Sequence, residues 1–246
     1  MKALYQKSEI WFAVAWIIAY CVLASTGDNL SAGIGIQKIV TLPILIVLSA
    51  ALFLFVRKNQ LFKKYGLCKP EIPASNMLFY LPLAALLTVN LWYGFSMSLP
   101  LFETVFYMLS MLCVGFLEEM IFRGFLFCAM AKNGIKSAII VSSVTFGIGH
   151  IVNLINGSGA ELLPNLFQVI YAMAAGFLFV MIFCQTKSLL PCIVTHGVFN
   201  ALSAFSNEAA MTPQRSIISC LFMVLVSGIY ALHITFMIKS NQFDAM

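Results

Sequence analysis

Long runs of apolar residues alternate with short polar loops along the whole chain. A helix needs about 20 apolar residues to cross a bilayer core of ~30 Å, and each run approaches that length. The pattern predicts eight helices: Glu9–Ser25, Lys38–Val56, Asn76–Phe95, Glu103–Met130, Lys136–Ile155, Pro164–Gln185, Leu189–Phe205 and Arg215–Ile238. We therefore predict an all-α, polytopic membrane helix bundle that forms a single transmembrane domain over residues 1–246.

Basic residues concentrate in alternate loops and in both tails, which predicts the direction of each helix. Lys and Arg close to the ends of spans mark cytoplasmic loops. The residues concerned are Lys2, Lys7, Arg57, Lys58, Lys63, Lys64, Lys69, Lys132, Lys136, Lys187 and Lys239. The other loops hold Asp28, Glu103, Glu161 and Glu208 with few positive charges. An even number of spans with both termini in the cytoplasm fits every loop.

Composition supports a membrane location for the whole chain. Of the 246 residues, 61% are hydrophobic and 9% are charged, and the mean hydropathy is +0.97, whereas soluble domains carry roughly 25% charged residues. The formal net charge of +5 is accounted for by topology, so it gives no support to nucleic-acid binding. The seven cysteines are scattered without a CxxC pair, which argues against a disulfide framework or a thiolate zinc site.

The fourth predicted helix carries three charged residues, Glu118, Glu119 and Arg123. A charge at the centre of a membrane helix costs at least ~2.5 kcal/mol on insertion scales and usually marks a functional site. Glu119 and Arg123 are four residues apart, the spacing at which helical side chains meet, so we expect an ion pair that braces the helix. Glu118 points about 100° away and can face a polar cavity as a general base. A salt-bridge cluster without chemistry is the alternative.

Three later helices add further polar groups. Phe146 and His150 share one face of the fifth helix, so an aromatic ring can pack beside the imidazole. His196 and Asn200 have the same spacing on the seventh helix. The Asn200 carboxamide can orient the imidazole, ligate a metal or donate to an oxyanion; the alternative is a His–Asn hydrogen bond that only joins helices. Gln168, on the sixth helix, can reach a neighbouring helix or a substrate backbone.

These residues form three motifs whose order, spacing and placement on separate helices are similar to a known signature. The motifs are Glu118-Glu119-x-x-x-Arg123, Phe146-x-x-x-His150 and His196-x-x-x-Asn200. They resemble the signature of the CPBP family, which comprises the CAAX proteases and the bacteriocin-processing or Abi proteins. The resemblance covers roughly Glu103 to Phe205, and we expect this part to be the catalytic core.

The resemblance implies an intramembrane endopeptidase, of a kind usually classed as a metallopeptidase. Glu118 would activate the attacking water, and Glu119 and Arg123 would hold the site in shape. His150 and His196 would bind a metal or polarise the scissile carbonyl, with Asn200 helping to stabilise the oxyanion. A catalytic zinc takes three protein ligands plus water. With Glu118 as base, only the two histidines and the weaker amide remain, so a zinc cofactor and a metal-free glutamate mechanism both stay open.

Substrate and location are expectations that rest on the family and the short loops. We expect a multi-pass protein of a bacterial plasma membrane that cleaves a peptide precursor or a membrane-anchored protein near the cytoplasmic side. Maturation of a bacteriocin or signalling peptide, or self-immunity, is expected ahead of CAAX processing. A proton-coupled transporter is one alternative, although the sequence shows no internal repeat and predicts no broken helix. A non-catalytic immunity or scaffold protein is another.

Overall fold

In a computed structural model, which describes residues 1–156 and 160–237, the chain is an all-helical bundle. A short helix, Lys2–Lys7, precedes the apolar helices. We number these α1 (Glu9–Ile34), α2 (Thr41–Lys58), α3 (Ala74–Leu91), α4 (Leu101–Ala131), α5 (Ile135–Leu154), α6 (Leu162–Thr186), α7 (Leu190–Phe205) and α8 (Pro213–Met237). The all-α membrane fold is confirmed, and no β-strand occurs among the described residues. The predicted helix end at Ile238 and the tail residue Lys239 lie outside them.

Within the described residues, seven of these helices are long and apolar enough to cross a membrane, and α7 is shorter. Large apolar side chains such as Ile18, Ile229 and Phe236 are exposed on the outside of the bundle, where lipid would cover them. The chain is therefore a multi-pass membrane protein. The cytoplasmic orientation of both termini and the single domain stay predictions.

The predicted end of the first helix at Ser25 is wrong. Helix α1 continues to Ile34, so Asp28 lies within a helix and not in a loop. Its carboxylate is bonded there, at 2.7 Å from Lys38 Nζ and 2.6 Å from Thr41 Oγ1, which offsets the cost of a charge at that position. The polar residues that follow Ser25 therefore continue the helix, with Ser31 buried and Asp28 half-buried, while Thr26 and Asn29 are exposed.

The third helix was predicted to be continuous, but α3 is broken. Its first part, Ala74–Tyr80, is a 3₁₀ segment in which Leu78, Phe79 and Tyr80 have positive φ angles. An α-helical part starts at Leu81 with Pro82 in its first turn, where proline fits because the missing N–H needs no partner there. Broken helices also occur in transporters, but this break does not contribute to the central cavity described below.

Contacts between loops distinguish two ends of the bundle. At the basic end, Glu9 lies 2.7 Å from Lys64 and 2.8 Å from Lys132. The 61–71 loop also meets the start of α7 there, because Ser188 donates to the Cys68 carbonyl oxygen. At the opposite end, the backbone N–H of Gln37 donates to Glu103 over 2.7 Å. Tyr107 and Ser203 share a hydrogen bond of 2.9 Å at the same end.

A close crossing of α4 and α7 sets the position of the central polar groups. A Cβ atom on Gly115 would lie 2.5 Å from the backbone nitrogen of Gly197, so only glycine at Gly115 permits this approach. Small residues let membrane helices pack backbone against backbone. The crossing places the side chains that follow Gly115 on α4 beside His196, which precedes Gly197 on α7.

Candidate active site

Two glutamates flank one imidazole at the centre of the bundle. Nδ1 of His196 lies 2.8 Å from Oε1 of Glu119, and Nε2 of the same ring lies 3.5 Å from Oε2 of Glu118. The glutamates can reach both edges of the ring because adjacent helical residues point in different directions. Glu119 also starts a π-helical stretch, Glu119–Phe127, and such wide turns are frequent at functional sites. The two glutamates thus contact opposite edges of His196.

The Glu119–Arg123 ion pair expected from the sequence is confirmed. Nη1 of Arg123 lies 3.1 Å from Oε1 of Glu119, and both side chains are fully buried. The guanidinium lies 4.0 Å from the centroid of the Phe146 ring, a cation–π arrangement that stabilises a buried cation. Space for it depends on Gly176, because a Cβ there would lie 2.9 Å from Nη2 of Arg123. This pair holds Glu119 against His196.

His150 lies where α5 tightens from an α-helix into a 3₁₀ segment, His150–Leu154. Its Nδ1 lies 3.1 Å from the carbonyl oxygen of Phe146. A carbonyl only accepts, so Nδ1 carries the proton and Nε2 of a neutral ring presents its lone pair. The predicted packing of Phe146 beside His150 is confirmed, with ring centroids 5.1 Å apart. Phe146 also packs edge-on against His196 at 5.6 Å, so one ring contacts both histidines.

A cavity of about 910 Å³ connects these groups. Glu118, His150 and Asn200 line it together with Tyr20 and Gln168. The side-chain amide of Asn200 forms no hydrogen bond with any described residue, so the alternative in which it only bonds His196 is not what the structure shows. It is available to a ligand in the cavity.

Tyr20, on α1, is the member of this group that sequence reasoning missed. Its hydroxyl donates to Oε1 of Glu118 over 2.7 Å, while Oε2 of Glu118 has no hydrogen-bond partner among the described residues. One carboxylate oxygen is therefore anchored and the other is free to bond a ligand or water. A single tyrosine in an apolar helix carries no periodic or motif signal that could have identified it.

Gln168 belongs to a carboxamide cluster at the wall of the cavity. Its Oε1 accepts from Asn153 over 3.1 Å and from Asn165 over 3.4 Å. Asn165 also donates to the His150 carbonyl oxygen over 2.9 Å. This cluster fixes the end of α5 against α6, so Gln168 acts on the position of His150 in addition to facing the cavity.

The donor types at this site resemble those of a zinc site, but their arrangement does not form one. Imidazoles whose Nδ1–H is held by a carboxylate or carbonyl are typical metal ligands, and both histidines have that arrangement. However, among residues 1–156 and 160–237 no three His, Cys, Asp or Glu side chains converge closely enough to hold a metal ion. The residues as arranged do not fit a three-ligand zinc site, and zinc at His150 and His196 stays a prediction.

Comparison with known proteins agrees with the motifs. Residues 100–202 match the family model described as Type II CAAX prenyl endopeptidase Rce1-like. No curated protein and no solved structure matches the chain. All three motifs fall inside the matched segment, which carries the two glutamates, both central histidines and Asn200. Residues 100–202 are therefore similar to the Rce1-like CAAX prenyl endopeptidases of the CPBP family, which is the family that the three motifs resemble.

Proposed function

We propose that the protein hydrolyses a peptide bond inside the membrane with Glu118 as the general base. The observation that carries this proposal is the free Oε2 of Glu118, which faces Nε2 of His196 at 3.5 Å beside a large cavity. A water molecule in the cavity can donate a hydrogen bond to Oε2, while Nε2 of His196 stays directed towards a substrate beside it. A positioned general base contributes about 10²–10⁴-fold to a hydrolysis rate.

Tyr20 orients Glu118, and Glu119 orients His196. The Tyr20 hydroxyl occupies Oε1 of Glu118, so Oε2 is the oxygen that takes the proton from water. Glu119 accepts from Nδ1 of His196, which directs Nε2 towards the reaction. A protonated His196 would bring the charge of Glu118, Glu119, Arg123 and His196 to zero, which lowers the cost of burying all four.

The reaction then follows from these positions. Oε2 of Glu118 removes a proton from water as the water oxygen bonds to the scissile carbonyl carbon. The oxygen of that carbonyl becomes negative, and Nε2–H of protonated His196 and the Asn200 amide donate to it. Preorganised donors of this kind are worth about 2.7–4 kcal/mol each. Glu118 then passes its proton to the amide nitrogen, the C–N bond breaks, and the carboxylate is restored.

His150 has a separate position in this scheme. Because its Nδ1–H is held by the Phe146 carbonyl oxygen, Nε2 of the neutral ring is an acceptor. It would accept a hydrogen bond from the second proton of the attacking water and so fix its orientation. Phe146, which lines the cavity and packs edge-on against both imidazoles, would hold the planes of the two rings.

The substrate class we propose is a peptide precursor or a membrane-anchored protein in a bacterial plasma membrane. Maturation of a bacteriocin or signalling peptide, or self-immunity, is preferred to processing of prenylated proteins. The match of residues 100–202 to an endopeptidase family favours the protease over the transporter and scaffold alternatives. The proposed scheme needs only groups of the chain itself and water.

The test is cleavage of a library of single-span reporter proteins whose ten juxtamembrane residues are randomised. Each reporter is co-reconstituted with the wild-type protein or with Glu118→Gln, and new termini are identified by mass spectrometry. We expect discrete cleavage sites with the wild type and at least a 100-fold lower rate with the variant, which keeps the shape of the residue. Equal cleavage by both proteins would refute the assignment of the base.

A further inference from the structure

In the part of the chain that the structure describes, the cavity that leads to Glu118 reaches the surface at one end of the bundle. At its outer rim lie the α1–α2 turn, the residues before α4 and the segment after α7. Residues that line it there include Gln37, Ser98, Pro100 and Glu208, all exposed. No residue of the basic loops lines it. The opening is therefore at the end opposite the basic one.

The two ends differ sharply in positive charge. Among residues 1–156 and 160–237, ten Lys or Arg residues of the N-terminal tail and the loops lie at the basic end, whereas Lys38 and Arg215 lie at the end with the opening. Lys38 is also neutralised by its ion pair with Asp28. An asymmetry of this size in short loops orients a polytopic protein with its basic end in the cytoplasm. The opening then faces away from the cytoplasm.

We propose that the scissile segment of the substrate enters this cavity from the non-cytoplasmic side of the membrane. The inference rests on the proposed function and replaces the expectation of cleavage near the cytoplasmic side. Glu103 at the rim and Glu118 at the base are separated by fifteen residues of α4, which is about 22 Å along a helix. An extended chain spans that depth with about seven residues. The substrate is thus an exported or outward-facing anchored peptide with an extended end.

The first test measures the opening without any substrate. Single cysteines are introduced at Glu208→Cys, on the rim, and at Lys136→Cys, an exposed position at the basic end. Intact cells are treated with a membrane-impermeant maleimide, and labelling above that of the wild type is compared with labelling after permeabilisation. We expect Glu208→Cys to react in intact cells and Lys136→Cys only after permeabilisation. The reverse pattern would overturn the proposal whether or not the protein is a protease.

The second test uses two single-span reporters that carry the same cleavable segment on opposite sides of the membrane. We expect at least tenfold faster cleavage when the segment is on the non-cytoplasmic side. Faster cleavage of the cytoplasmic segment would refute the entry side and leave the protease function standing. If the cysteines are labelled as expected but neither reporter is cleaved, the result counts against the proposed protease function. The inferred side of the opening would still stand.

Discussion

The hydroxyl of Tyr20 donates a hydrogen bond of 2.7 Å to Oε1 of Glu118, although 98 positions separate the two residues in the sequence. This contact ties α1 to the reactive carboxylate of α4. It leaves Oε2 of Glu118 as the oxygen without a hydrogen-bond partner among the described residues. The first helix therefore belongs to the proposed active site, although it lies outside the family match.

We expect Tyr20→Phe to lower kcat about tenfold with little change in KM. Loss of one hydrogen bond to a charged group is worth about 1.5–3 kcal/mol, and here it frees the carboxylate to rotate. Cleavage rates in lipid nanodiscs measure the effect. Tyr80→Phe is the matched control, since its hydroxyl has no hydrogen-bond partner and it does not line the cavity. An equal loss in both variants would show that the Tyr20 effect is not specific to Glu118.

The glycine contact between α4 and α7 should be intolerant of substitution. Gly115→Ala places a methyl group 2.5 Å from the Gly197 backbone, so the helices must separate and His196 must move away from the glutamates. We expect loss of cleavage and a lower thermal unfolding temperature in detergent. In Gly228→Ala the new methyl group meets nothing within 4 Å. This control variant should retain both the cleavage activity and the unfolding temperature of the wild type. Full activity of Gly115→Ala would contradict the role of this crossing.

Removal of Arg123 should destabilise the protein strongly. In Arg123→Met the Glu119 carboxylate stays buried without its cation, and breaking a buried pair costs about 3–5 kcal/mol. Lys132→Met breaks a partly exposed pair with Glu9, for which about 0–1 kcal/mol is expected. Thermal inactivation of the two variants provides the comparison. Similar stability of both would show that Arg123 is not needed to balance the charge of Glu119.

Chelation should leave cleavage intact. The proposed scheme uses Glu118, the two central histidines and Asn200, and no three described His, Cys, Asp or Glu side chains converge closely enough to hold a metal ion. The purified protein is treated with 1,10-phenanthroline, its metal content is measured by mass spectrometry, and cleavage of a reporter is followed. Loss of activity that added zinc restores would contradict the scheme and support the zinc predicted from the family resemblance.

Sequence reasoning predicted the features that depend on local spacing. Four-residue spacing gave the Glu119–Arg123 pair and the Phe146–His150 contact, because residues one turn apart meet on a helix. The spacing did not predict that both glutamates contact His196, because this contact depends on how closely α4 and α7 cross. Tyr20 was missed because its partner is distant in sequence. The break in α3 was missed because apolarity alone does not report backbone conformation.

The central claim is that Glu118 activates water for peptide hydrolysis. Its most direct test is cleavage of an anchored reporter in H₂¹⁸O, with the new carboxyl terminus analysed by mass spectrometry for the wild type and Glu118→Gln. The account predicts one ¹⁸O atom in each new carboxyl group formed by the wild type and at least a 100-fold slower reaction in the variant. Wild-type rates and the same incorporation in Glu118→Gln would contradict it.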